Sequence, residues 1–179
     1  MYELILAEID AARVPACIVH LGDLVDRGPW SRECVALAIT LHACADDGLR
    51  VVTLRGNHEQ MLLDAYEEAD DPGPLEHWLR NGGDAAIASY AGANGWDAER
   101  WQASIDDSHI AFLRGLPNLA LDDERRIAFV HAGIDPADFP NCREDVRLWT
   151  RSPRFFRTAE WPDREELEGL LVVHGHTPT

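Results

Sequence analysis

Four short apolar runs in this chain each end in a compact set of polar residues, and this recurrence constrains the fold more than any other feature. ACIVHL (16–21) runs into Gly-Asp, RVVTL (50–54) into RGNHE, RIAFV (126–130) into His-Ala-Gly, and LLVVH (170–174) into GHTP. Each run has strand length and is apolar without alternation, the pattern of strands covered on both faces. Helical patterns lie between them. YELILAEIDAA places Leu4, Ile5, Ile9 and Ala12 on one side. SRECVALAITLHACA opens at Ser31, a predicted N-cap, with Cys34, Leu37, Ala38 and Leu41 at helical spacing. EQMLLDAYEEA and SHIAFLRGL are further helices. DPGPLEHWLRNGGDAAIASYAGANGW, inside the stretch 70–115, reads as a helical insertion punctuated by Gly and Pro. Strands alternating with helices predict an α/β layered fold with a mainly parallel sheet.

The chain has 179 residues and is 46% hydrophobic, enough for one core, so residues 1–179 are expected to form a single domain. No apolar stretch is long enough to span a bilayer, and the first ten residues carry acids early, with no basic leader. A cytoplasmic protein with no membrane partner is expected. The net charge of -16 repels polyanions, so a nucleic-acid partner is not expected. A small phosphorylated substrate stays open, because local cations outweigh a screened distant field. Cys17, Cys34, Cys44 and Cys142 form no C-x-x-C pair and are expected as buried free thiols. Nothing in the sequence fixes the oligomeric state.

Loops beyond the carboxyl ends of strands in an α/β sheet gather at one edge, where ligands bind. Asp23, Asn57, His58, His131 and His176 should therefore converge. Oxygen and imidazole donors without thiolate suit manganese, iron or zinc. Asp23 has two oxygens and could bridge two ions, which together polarise a phosphoryl oxygen and activate water. Arg27 and Arg151 offer cationic clamps for phosphate oxygens. His58 could donate a proton to a leaving group if Asp26 fixes its tautomer. Taken singly, these residues have blander readings: Asn57 as a helix N-cap, His131 and His176 as core histidines. His174 is assigned to packing and His20 to the core. His42, His77 and His109 lie in helical segments without a partner pattern. Arg147 and Arg154 neighbour Arg151 and compete with it. The six tryptophans read as packing, and Glu67, Glu68 and Asp70 as a solvated face.

GDLVDRG (22–28), RGNHE (55–59), HAG (131–133) and HGHT (174–177), in this order, resemble the calcineurin-like metallophosphatases. The likeness is to their phosphoprotein-phosphatase branch, of the bacterial and phage serine/threonine type. NHEQMLLDA, WLRNGGDAAIASY, FVHAGIDP and LWTR extend it over essentially the whole chain. The resemblance implies a two-sheet sandwich flanked by helices. It also implies hydrolysis of a phosphoester by a metal-bridging hydroxide, with two divalent ions, manganese first and iron or zinc as alternatives. Asp23 would bridge the ions, and Asn57, His131 and His176 would complete the second metal site. His58 would be the general acid with Asp26 as its partner, and Arg27 and Arg151, beside Asn57, would hold the phosphate. A phosphorylated protein is the implied substrate. Related diadenosine tetraphosphatases usually lack the Asp at position 26, carry GNHD and end in GHW. The alternatives are therefore a dinucleoside polyphosphate substrate, or an inactive fragment or binding module. Family members begin with a GDxHG strand whose Asp and His bind the first metal, and they continue past the last motif through further strands. Both parts are expected to be missing here, leaving one well-held ion and impaired activity. Pro178 stands where other branches have a metal-binding His, and it cannot ligate.

Overall fold

The computed structural model describes residues 2–12, 14–92, 95 and 100–177; Pro178 lies outside the described residues. Helix α1 (Tyr2–Ala12) precedes strand β1 (Ala16–His20), and helix α2 (Ser31–Ala43) precedes β2 (Leu49–Thr53). β1 and β2 pair in parallel, with Ala16 opposite Leu49 and His20 opposite Thr53. Helices α3 (Asn57–Glu67), α4 (Pro72–Arg80), α5 (Gly83–Ala91), α6 (Trp101–Ser104) and α7 (Asp107–Arg114) follow. A second sheet has the order β3 (Leu119–Asp122), β4 (Ile127–Val130), β5 (Leu171–Val173). β4 is antiparallel to β3 and parallel to β5. Helices α8 (Glu144–Trp149) and α9 (Pro153–Phe156) lie in the crossover between β4 and β5. The molecule is mixed α/β, with two sheets and flanking helices. All four apolar runs form strands, and β3 is an additional one.

Two cores form. Trp78, Ile87, Ile110 and Leu113 from α4, α5 and α7 join Val35 of α2 and Leu62 of α3 in one cluster. The stretch read as an insertion therefore shares its core with the helices on either side of β2. A fully buried Leu or Ile contributes about 1.5–3 kcal/mol, so this shared packing is the main force holding α4–α7 in place. Ala128, Val130, Ile134, Phe139 and Phe155 form the second cluster, on the β4 side.

Four local expectations are corrected. Cys17, Cys34 and Cys44 are exposed, and only Cys142 is buried. Helix α2 buries Ser31, Val35, Ala38 and Leu41, a face rotated from the predicted one, and Leu37 is exposed. Ser31 is the first helical residue and Trp30 holds the N-cap position. The Ser31 hydroxyl instead accepts the Asp26 N–H at 3.1 Å. On α1, Leu4 is 72% exposed and Ile5 39% exposed, so the predicted apolar face is uncovered there.

Candidate active site

The site begins where two loops cross. Gly22, just beyond β1, has φ +93°, and a Cβ there would lie 2.5 Å from the Gly56 nitrogen. Only a residue without a side chain permits that approach. The crossing brings Asp23, after β1, beside Asn57, the first residue of α3. Glu59 ties the crossing together. Its Oε2 accepts the N–H groups of Asp23 at 2.8 Å and Gly56 at 2.7 Å. Its Oε1 accepts those of Leu24 at 2.6 Å and Val25 at 3.3 Å. Glu59 is fully buried. Burial and the nearby Asp23 charge push its carboxyl up, while the N–H groups of Asp23, Gly56 and Leu24 pull it down. Sequence reasoning used Glu59 only as a letter of RGNHE. The available signal was its place at the third position of a helix, from which a Glu reaches back to the N-terminal N–H groups.

Asp23, Asn57, His131 and His176 converge as expected. Carboxylate and imidazole ligand atoms of Asp23, His131 and His176 all lie within 4.8 Å of one another. Asn57 Oδ1 is 2.9 Å from both His131 Nε2 and His176 Nδ1. His131 Nε2 is 3.2 Å from His176 Nδ1 and 3.4 Å from Asp23 Oδ1. The tautomer of His131 is set from behind: its Nδ1–H donates to the Leu21 carbonyl at 2.7 Å. Burial lowers the pKa of His131. Burial, then the charges of His131 and Arg151, lower that of His176 to about 4. Both rings are therefore neutral near pH 7, and His131 Nε2 presents a lone pair to the oxygens of Asn57 and Asp23. His131 Nε2 and the oxygens of Asn57 and Asp23 are acceptors gathered around one point, from buried His131 and Asn57 out to exposed Asp23, and such a gathering suits a cation. The donor set, two imidazoles with two oxygens, fits a hard or borderline divalent ion.

A second cluster adjoins the first. His58 Nδ1 lies 2.6 Å from Asp26 Oδ2, and both side chains are buried. Trp78 Nε1–H donates to both Asp26 oxygens at 2.9 Å. Burial raises the Asp26 pKa, while His58 and Trp78 lower it. Arg27 is exposed at the rim. Its backbone N–H donates to the Gly82 carbonyl at 3.1 Å, and its Nε to the Asn81 carbonyl at 3.4 Å. Arg151 is exposed beside the metal-type cluster, with Nε 3.2 Å from His176 Nε2. Arg147 instead bonds Asn118 at 2.6 Å and the Pro140 carbonyl at 2.7 Å, a structural arrangement that takes it out of competition with Arg151. Asp23, Asp26, Arg27 and His176 all have positive φ, at 59°, 73°, 59° and 60°. Such conformations cost energy for non-glycine residues, and they cluster where surrounding structure holds functional groups in place.

His20, His42, His109 and His174 fall outside the site, while His77 packs against Trp149, with ring centroids 6.1 Å apart. His20 and His42 share the Thr53 hydroxyl, at 2.7 Å and 3.1 Å. His109 pairs with the Tyr90 hydroxyl at 2.8 Å. His174 lies beyond β5 and packs edge-on against Phe155 and Phe156. Sequence reasoning missed the roles of Glu59 and Trp78. It also did not foresee Trp149, which is 38% exposed and packs edge-on against His176.

Comparison with known proteins follows the same lines. The family model described as calcineurin-like phosphoesterase matches residues 2–179. "Serine/threonine-protein phosphatase 1" of Salmonella typhimurium is 46% identical over 67 residues, covering 37% of this chain and 26% of that protein. The symmetrical bis(5'-nucleosyl)-tetraphosphatase of Aeromonas hydrophila is 31% identical over 154 residues, covering 84% of this chain and 46% of the relative. Its counterpart in Shigella dysenteriae is 29% identical over 160 residues, covering 83% and 48%. The chain spans less than half the length of each of these relatives.

Proposed function

Because this chain belongs to the calcineurin-like phosphoesterase family, we propose that it is a metal-dependent phosphoester hydrolase acting on phosphoserine or phosphothreonine in proteins. The observation that carries the reading is the convergence of Asp23, Asn57, His131 and His176 beside the buried His58–Asp26 pair. Those four residues would hold one divalent ion, manganese first. A divalent ion supplies Lewis acidity toward a phosphoryl oxygen and a water acidic enough to attack at neutral pH. The chain's own groups do the rest. Arg27 and Arg151 are cations placed at the rim to take phosphate oxygens, with Arg27 held by the 81–82 backbone. Asp26 accepts from His58 Nδ1–H, and in the doubly protonated ring Nε2 carries the second hydrogen, the one that would pass to the departing oxygen.

A second reading, hydrolysis of dinucleoside polyphosphates, is supported by the tetraphosphatase relatives, which align over more of the chain than the phosphatase relative does. The test compares manganese-dependent turnover of p-nitrophenyl phosphate, a phosphothreonine peptide and diadenosine tetraphosphate. Release of phosphate from the peptide in preference to the dinucleotide supports the first reading, and the reverse supports the second. Turnover that persists in H131A, or none with any substrate, removes the hydrolase reading for this chain.

A further inference from the structure

Helix α4 reaches the Asp26–His58 pair through the indole of Trp78. Trp78 is fully buried. Its N–H spans the two oxygens of Asp26, at 2.9 Å to each, and Asp26 in turn meets His58 at 2.6 Å. The ring has little freedom. A Cβ on Gly83 would fall 2.5 Å from Cδ2 and Cε2 of the indole and 2.7 Å from Nε1. The ring centroid of Trp101 lies 5.1 Å from that of Trp78. Position 83 must therefore be glycine for the indole to lie where it does.

We propose that Trp78 is a positioning residue that fixes the Asp26 carboxylate and, through it, the orientation and tautomer of the His58 ring. The reason is donor chemistry. An indole N–H can donate and can never accept, unlike a hydroxyl or an amide. A carboxylate that receives it must act as an acceptor on that side. Asp26 then accepts from His58 as well, which places a hydrogen on Nδ1 and turns Nε2 away from Asp26. The side chain of Asp26 has no exposure to water. Without the indole, its carboxylate would keep one side-chain donor and would be free to rotate toward other groups. The proton-delivery role rests on the hydrolase reading, but the positioning contact does not.

The full chain serves for the test, with W78F, W101F and D26N. W78F keeps an aromatic ring and removes the N–H. W101F disturbs the same stack without touching Asp26. Nitrogen-15 NMR of the histidine rings reports the His58 tautomer, and the indole N–H resonances report Trp78. The expected result is that W78F changes the His58 ring nitrogen shifts while W101F leaves them in place, and that D26N moves the Trp78 indole resonance. With manganese and p-nitrophenyl phosphate, W78F should lower kcat by about ten- to a hundredfold, part of what a well-placed acid contributes, and leave KM unchanged. His58 signals identical in wild type and W78F overturn the proposal. If W78F does not fold, the D26N comparison decides alone, and an unmoved indole resonance overturns it. If the His58 signals respond while wild type shows no turnover, the positioning role stands and the hydrolase reading fails.

Discussion

Glu59 shows how much a site residue can do without facing a ligand. Four backbone N–H groups, from Asp23, Leu24, Val25 and Gly56, end on its two oxygens. A glutamine is nearly the same shape but can accept on one oxygen only. Its NH2 would face two N–H donors, leaving them unpaired in a buried place. Each such group costs about 1–3 kcal/mol, so E59Q should lose about 2–6 kcal/mol in urea unfolding. It should also bind manganese more weakly, because the Asp23 loop relaxes from its φ of 59°. An E59Q protein with unchanged unfolding and unchanged metal titration would remove the role assigned to Glu59. At this scale, legibility followed motif content. Asp23, Asn57, His58, His131 and His176 stood in recognisable strings after apolar runs, and their convergence follows from strand topology. Trp78 stood in no such relation to Asp26, 52 positions away. Its partner is decided by how α4 packs, which local pattern does not encode.

Among elements, what could be read depended on whether local preference and tertiary context agreed. β1, β2, β4 and β5 carry continuous Val, Ile or Phe, and the runs were readable. β3, Leu-Ala-Leu-Asp, contains no β-branched or aromatic residue, and its pairing with β4 fixes it as a strand. Helix α2 is apolar on several sides, so periodicity alone could not choose its buried face. Ser31, bonded to the Asp26 N–H, belongs to the face that the helix buries. One join between elements carries a pH prediction. His20 at the end of β1 and His42 on α2 both meet the Thr53 hydroxyl at the end of β2. Burial, then His42, lowers the His20 pKa below its ordinary 6.5. His109, which joins α7 to Tyr90 of α5, is also lowered, first by burial. The unfolded chain then binds more protons than the folded one below pH 6.5. Stability from these groups is present above that pH and is lost as pH falls toward the depressed folded values. Melting temperature should therefore decline on acidification from neutrality. Replacing His20 by Asn should flatten the slope, whatever it does to the absolute value. An unchanged slope in H20N and in H109N would show that neither ring is held neutral.

Across the whole molecule, the proposed cation site is also a joint between sheets. Asp23 and Asn57 follow β1 and β2, while His131 and His176 follow β4 and β5. Packing between the sheets is incomplete. Clefts of about 630 Å³ and 460 Å³ open between them, lined by Val52 on one side and Leu121 on the other. Direct polar links cross near the site: His131 Nδ1–H to the Leu21 carbonyl, and Arg55 N–H to the Pro117 carbonyl at 2.8 Å. A cation gripped by all four residues would add a further link, and it binds only when both sheets are in place. Binding to the folded state alone stabilises by RT ln(1 + [L]/Kd), about 2.7 kcal/mol at a hundredfold excess over Kd. For a domain of this length that corresponds to roughly 5–10 °C in melting temperature. Manganese should produce that rise, EDTA should reverse it, and H131A should lose it. The net charge of -16 offers a competing cause, since any cation relieves self-repulsion. That field effect is screened by salt and does not depend on His131. Melts repeated at raised ionic strength separate the two. A manganese shift that survives salt in the wild type and vanishes in H131A belongs to the site, and one that salt abolishes, or that H131A retains, belongs to the surface and ends the case for a cation held between the sheets.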